Sequence, residues 1–169
     1  EQAMAIAREC GGADPQWTSQ AEERNRLWQA RHDSYYAALS LRPGAKGWAT
    51  DVCVPISRLA ECIAATRADV AEAGLLAPIV GHVGDGNFHL LMLVDPDDPA
   101  EMAKAQALNK RLVRRAIAMD GTCTGEHGVG LGKMESLAEE AGEAVTVMAA
   151  LKRTLDPMNL LNPGKIVRV

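Results

Sequence analysis

Two histidines, His82 and His89, stand on either side of an Asp-Gly pair in the segment GHVGDGNFHL, residues 81–90. An Asp-Gly pair between apolar runs favours a two-residue type I′ hairpin turn. With Asp85-Gly86 as that turn, counting outward opposes Gly84 to Asn87, Val83 to Phe88 and His82 to His89. Directly opposed residues share one face of the sheet, with Cβ atoms about 4.5–5.5 Å apart. Two imidazoles so placed can hold one divalent ion at about 2.0–2.1 Å each. The same face carries Val80, Asn87 and Leu91, whereas Ile79, Gly81, Val83, Phe88, Leu90 and Met92 lie on the other, the one expected to pack on helices. A neutral hydrogen-bonded pair is the plainer alternative, but two like rings opposed among glycines gain little from packing.

Zinc, manganese or iron held by two histidines ordinarily takes a third protein ligand, often a carboxylate, and keeps a position open for substrate or water. Glu126 is the leading candidate. It lies in TGEHGVG, residues 124–130, where flanking glycines permit a close backbone approach. Asp85, Asp120 and Cys123 remain alternatives, with Asp85 ranked lower because the turn employs it. The neighbouring His127 has an unperturbed pKa of about 6.5 and is suited to remove a hydroxyl proton near neutral pH. The run GVGLGK is not a phosphate loop, since the Walker spacing and its Ser or Thr are missing.

These residues must be positioned by the elements around them. A helix is expected over residues 1–10, closed by Gly11-Gly12, and a second over about Thr18 to Leu39, where Leu27, Trp28, Arg31 and Tyr35 recur at helical spacing. The β-branched run from Trp48 to Pro55 reads as a strand ending at a proline. Ser57 caps a helix to Ala73 with Leu59, Ile63, Thr66 and Val70 inward and Gly74 as its stop. After the hairpin, Asp98 and Pro99 start a helix that reaches about Met119. The segment 121–133 is a loop with a short strand at its start, and a last helix runs from about Glu143 to Leu155. From Trp48 to Cys123 the order strand, helix, strand, strand, helix, strand predicts an α+β fold. It is the ferredoxin-like split βαβ, an antiparallel sheet with helices on one face, plus flanking N- and C-terminal helices.

With 169 residues, 47% hydrophobic, 24% charged and a net charge of −4, the chain suits one globular domain over 1–169 and lacks the basic surplus of a nucleic-acid binder. Cys10, Cys53, Cys62 and Cys123 have no paired spacing and read as buried residues or free thiols in a reducing compartment. No apolar run reaches the roughly 20 residues of a membrane span, and EQAMAIAREC is not a signal peptide. A cytoplasmic location follows as the expectation, with a peripheral place on the inner membrane face also considered. The chain starts inside a helical pattern without a methionine, so it reads as a fragment.

The motifs GHVGDGNFHL, GTCTGEHGVGLGK and LDPMNLLNPGKI together resemble the C-terminal domain of the FAD-linked oxidases. The stretch RPGAKGWATDVCVPISRL further resembles the D-lactate dehydrogenase (cytochrome) branch, alongside glycolate oxidase-like D-2-hydroxy-acid dehydrogenases. The resemblance spans about Trp28 to Val167 and implies that His82, His89 and Glu126 are metal ligands and His127 the active-site base. It further implies that Asn87 lies beside the substrate, that Arg31 binds the substrate carboxylate, and that Asn162 and Lys165 lie toward the flavin. The implied reaction oxidises a D-2-hydroxy acid, D-lactate first among them, passing hydride to FAD and electrons on to a cytochrome or quinone. The FAD-binding domain of such enzymes precedes this segment and is absent from it, so the chain alone is expected to be inactive. A homodimer is a further expectation. Against this stand two readings without flavin: a zinc hydrolase using the same two histidines and glutamate, and a ferredoxin-like interaction module in which the histidines are structural.

Overall fold

The computed structural model describes residues 2–13 and 17–169; residue 1 of the first expected helix lies outside them. The chain divides into two compact units, Glu1–Ser40 and Leu41–Val169. The first contains α1 (Gln2–Glu9), α2 (Ala21–His32) and α3 (Ser34–Ser40). The single helix expected from Thr18 to Leu39 is thus interrupted at Asp33, the C-cap of α2, whose backbone N–H donates to the carbonyls of Gln29 and Arg31. Its carboxylate accepts from Gln29 Nε2 at 2.9 Å, an i,i+4 side-chain pair that supports the last turn of α2.

The second unit is built on β4 (Asn87–Val94), the longest strand and buried along its whole length. On one side β4 pairs with β1 (Lys46–Ala49) and then β2 (Val52–Cys53), on the other with β3 (Ile79–His82), all antiparallel. An antiparallel bridge between Cys53 and Thr122 adds the start of the glycine loop beside β2. With α4 (Ile56–Ala73) and α5 (Pro99–Ala118) this is the split βαβ order read from the sequence. The expected strand at 48–55 begins two residues earlier and breaks at Thr50-Asp51. Two helices follow the glycine loop: α6 (Met134–Ala141), which the sequence reading left unassigned, and α7 (Ala144–Leu155).

Side chains alternate across β4, so its two faces do different work. Phe88, Leu90, Met92 and Val94 enter one core with Leu59 and Cys62 of α4 and Leu108, Leu112 and Ala116 of α5. Asn87, His89, Leu91 and Leu93 face the other way. Asp98 caps α5 by accepting from the N–H groups of Ala100 and Glu101 at 2.9 and 3.2 Å. Gly74 ends α4 with φ +65° as expected, but the N-cap is Pro55, and Ser57 falls inside the helix. Proline suits this boundary because its fixed φ and missing N–H permit a helix to start but not to run through it.

The hairpin differs from the sequence reading in its register. Observed partners are Ile79 with Leu90, Val80 with His89, Gly81 with Phe88 and His82 with Asn87. The loop is therefore the four residues Val83 to Gly86, closed by the Asp85 N–H donating to the His82 carbonyl at 2.9 Å. Gly86 is not available as half of a two-residue turn because it is engaged by the residue that follows β2: its carbonyl accepts from the Val54 N–H at 3.0 Å. Its φ is +77°, and a Cβ there would stand 2.0 Å from the Val54 carbonyl oxygen. The slip is two residues, an even number, so every side chain keeps its predicted face.

After α7 the chain is turned by Asp156. Its carboxylate pairs with Lys152 and accepts from the N–H groups of Leu160 and Leu161 at 2.9 and 2.8 Å. Those partners hold its pKa down at about 2. A carboxylate depressed on folding contributes stability above its unfolded value of about 3.9, and that contribution is lost as pH falls through the folded value. Melting temperatures measured from pH 5 to pH 2 should therefore fall more steeply for wild type than for Asp156→Asn. In the core, Leu112 is fully buried, and Leu112→Ala should cost about 2–5 kcal/mol in urea unfolding.

Candidate metal centre

The site-bearing face of β4 ends at the hairpin, where β3 and β4 bring His82 and His89 together. They sit diagonally, their ring centroids 6.1 Å apart and their planes at 89°. The glycine loop supplies the third group. Glu126 Oε1 lies 2.9 Å from His89 Nε2 and 3.6 Å from His82 Nε2. The three expected ligands thus converge, each offering one donor atom within 4.8 Å of the others.

The tautomer of His89 gives this cluster its chemical meaning. Its Nδ1 lies 3.0 Å from the carbonyl oxygen of Thr50, which can only accept, so Nδ1 carries the proton. His89 Nε2 is thereby left facing a carboxylate oxygen at 2.9 Å. Two acceptors at that separation repel unless a proton or a cation lies between them. A histidine held by a backbone carbonyl through its second nitrogen is the usual support of a metal-bound imidazole. The donor set, two imidazole nitrogens and one carboxylate oxygen, therefore fits a borderline divalent ion with positions left for other ligands.

His127 stacks on His89, with ring centroids 4.9 Å apart and planes within 10°, and its Nε2 is 3.9 Å from Glu126 Oε1. Its side chain is half exposed, so it borders the cluster on the open side. Asp85 and Asp120 belong to neither cluster of convergent ligand groups among the described residues. Cys123 is fully buried, and burial together with the Glu140 carboxylate raises its thiol pKa to about 12. It is a protonated core thiol, unsuited to ligation.

Asp51 is the residue that the sequence reading missed. It is 1% exposed, and its carboxylate accepts from Asn87 Nδ2 at 2.9 Å, Thr124 Oγ1 at 2.9 Å, the His127 N–H at 2.9 Å, the Glu126 N–H at 3.1 Å and Lys133 Nζ at 3.1 Å. Burial alone would push its pKa up; the His127 N–H, Asn87, Thr124 and Lys133 outweigh this and hold it well below the usual carboxylate range. Asp51, His89 and His127 form a second convergent group. There the Asp51 oxygens are saturated by donors and His89 Nδ1 is committed to Thr50, so the group offers an ion little. The available signal for Asp51 was an acidic residue inside the β-branched run WATDVCVPI, where a charge has no packing reason to be.

Other expected residues are placed as follows. Asn87 is 5% exposed, its Nδ2 shared between Asp51 and the Val52 carbonyl, so that any substrate contact is left to Oδ1, a buried acceptor without a hydrogen-bond partner. Gly125 packs so closely on this amide that a Cβ would stand 1.7 Å from Nδ2, the close approach anticipated for the glycine loop. Asn162 and Lys165 are exposed and joined by a hydrogen bond of 3.2 Å. Their segment is tied to the glycine loop by the Ile166 N–H donating to the Gly130 carbonyl at 2.9 Å. Arg31 belongs to α2 of the first unit, and its role toward a carboxylate rests on the resemblance alone.

Comparison with known proteins agrees with the motifs. The chain is 55% identical over 165 residues to a probable mitochondrial D-lactate dehydrogenase of Danio rerio, covering 97% of this chain and 33% of that protein. It is 42% identical over 163 residues to the mitochondrial D-lactate dehydrogenase [cytochrome] of Arabidopsis thaliana, covering 96% and 29%. The glycolate oxidase subunit GlcD of Escherichia coli K12 is 30% identical over 166 residues, covering 98% and 33%. The chain thus spans about a third of the length of these relatives. Among solved structures, 4-ethylphenol oxidase from Gulosibacter chungangensis shares the fold, with a TM-score of 0.61 at 20% identity over 89% of this chain and 31% of that one. Residues 1–166 match the family described as FAD linked oxidases, C-terminal domain, and the chain belongs to that family.

Proposed function

We propose that this chain is the substrate- and metal-binding part of a flavin-dependent D-2-hydroxy-acid dehydrogenase that converts D-lactate to pyruvate. The observation that carries the reading is the convergence of His82 Nε2, His89 Nε2 and Glu126 Oε1, with His89 Nδ1 engaged by Thr50. When bound, the divalent ion supplies Lewis acidity at the substrate hydroxyl and the flavin accepts hydride. His82, His89 and Glu126 would hold that ion. His127 Nε2, on the open side of His89, takes the hydroxyl proton and returns it to solvent.

Small monocarboxylates fit the charges of the second unit better than dicarboxylates. Arg42 donates to the Leu93 carbonyl and pairs with Glu101, and Lys46 stands opposite Val94. Val94 is five residues along β4 from His89, about 16 Å at about 3.3 Å per residue. Neither cation is placed to grip a second carboxylate at the cluster.

The flavin-bearing partner is proposed to be the remainder of a protein of the relatives' length. In support, Leu155, Met158, Leu160, Leu161 and Ile166, around the NPGK motif, are all between 49% and 80% exposed, more apolar surface than the end of a free domain ordinarily shows. Electron delivery to a cytochrome follows the Arabidopsis relative's name. The mitochondrial location in the relatives' names is adopted for the full-length protein in place of the cytoplasmic one. No described helix is long and apolar enough to cross a membrane.

The direct test is D-lactate-dependent dye reduction by the full-length protein. Glu126→Gln and His127→Ala should each slow it at least tenfold, because each removes a charge or proton acceptor at the reacting hydroxyl; a near-wild-type rate in either removes that residue from the mechanism. Metal analysis provides the second check. His82→Ala and His89→Ala should each lower bound manganese or zinc by more than half after dialysis, and unchanged content in both would favour structural histidines.

A further inference from the structure

The metal cluster draws two ligands from one hairpin but the third from a loop with no regular structure of its own. Residues 124–128 lie in neither helix nor strand, and Glu126 and His127 are both about half exposed on their side chains. Something must hold this segment against β4. The Asp51 carboxylate takes the backbone N–H groups of Glu126 and His127 at 3.1 and 2.9 Å and the Thr124 hydroxyl at 2.9 Å, three donors within the four residues 124–127. From below, Asn87 Nδ2 donates to the same carboxylate at 2.9 Å, and Asn87 is two residues from His89 on β4. Lys133 Nζ reaches both the Asp51 carboxylate at 3.1 Å and its carbonyl at 3.0 Å from the far end of the glycine loop.

We infer that Asp51 is the positioning residue of this centre: it sets the Glu126 carboxylate against His82 and His89 by clamping the loop through consecutive backbone N–H groups, with Lys133 as its counter-charge. Its carboxylate oxygens are taken up by donors of the protein itself. The physical argument is that hydrogen bonds to a buried carboxylate are stronger than those between neutral groups, and breaking them would strand the charge. The loop therefore has one favoured position. A loop held only by solvent-exposed contacts would let the carboxylate drift, and a ligand displaced by an ångström forfeits much of its effect. The consequence for the ion rests on the proposed function; the clamp itself does not.

The test uses the full-length protein, depleted of metal with EDTA, as wild type, Asp51→Asn, Lys133→Met and the control Asp85→Asn, whose carboxylate belongs to neither convergent group. Amide hydrogen exchange is followed over residues 124–128 and, for comparison, over α5. Asp51→Asn should speed exchange at Glu126 and His127 at least tenfold while α5 stays protected, and should weaken Mn²⁺ binding, titrated on the same samples, about 10- to 100-fold. Lys133→Met, which keeps the carboxylate, should change both by about threefold and decides the matter if Asp51→Asn does not fold. Asp85→Asn should change neither. Wild-type exchange at Glu126 and His127 in Asp51→Asn, or faster exchange with Mn²⁺ affinity unchanged, would overturn the inference. If wild type binds neither Mn²⁺ nor Zn²⁺, the metal reading fails, and the exchange result alone still decides whether Asp51 clamps the loop.

Discussion

A carboxylate at 1% exposure is the constraint around which the second unit is organised. Removing a charge from water costs several kcal/mol unless its lone pairs are met by donors. Asp51 meets that requirement by collecting donors from places distant in sequence: Asn87 on β4, Thr124, Glu126 and His127 in the glycine loop, and Lys133 at the loop's end. The solvation demand of one side chain thereby becomes a tertiary constraint on three segments. The break between β1 and β2 comes from the neighbouring Thr50, whose hydroxyl takes the Leu90 N–H at 2.9 Å while its carbonyl turns to His89 Nδ1 at 3.0 Å, so one ladder bond to β4 is replaced by a side-chain bond.

The second organising element is β4, which couples the core to the cluster by alternation. Phe88 and Leu90 are locked into the core with α4 and α5, and that packing aims Asn87 and His89, between and beside them, at the opposite face. The rigidity of the core is thus passed to the two site residues. His89 is further held by Thr50, which binds β4 twice over: its N–H donates to the Leu90 carbonyl at 3.0 Å and its hydroxyl accepts from the Leu90 N–H at 2.9 Å. The carbonyl that fixes the His89 tautomer belongs to the residue next to Asp51, so the histidine and the loop clamp are held by adjoining residues of the β1–β2 break.

Much of the fold was legible because it depends on local periodicity and end signals. The alternation of NFHLLMLV, the Asp98-Pro99 start of α5 and the Gly74 stop of α4 act within a few residues, and all three hold in the structure. The departures have physical causes outside the local sequence. Gly86 was read as half of a two-residue turn, but its carbonyl is taken by Val54, the residue that follows β2, and the turn lengthens to four residues. Ser57 was read as a cap on residue type, while Pro55 sets the boundary by its ring. The α6 helix went unassigned because the glycine loop before it and Gly142 after it leave only eight residues in which to see a period.

What the sequence determined by itself was the inventory and the faces: two histidines on one side of a hairpin, a glutamate-histidine pair in a glycine loop, and a split βαβ order to carry them. These survive a register error because strand faces depend only on parity, and the slip was by two. What only the tertiary structure decided was distance and dependence. The diagonal pairing of His82 with His89 needed the true hairpin register, and the 2.9 Å approach of Glu126 to His89 and the commitment of His89 Nδ1 to Thr50 require residues 37 and 39 apart in the chain to meet. The role of Asp51 was hidden for the same reason. An acidic residue in a strand is a single letter until the loop that solvates it is folded over it.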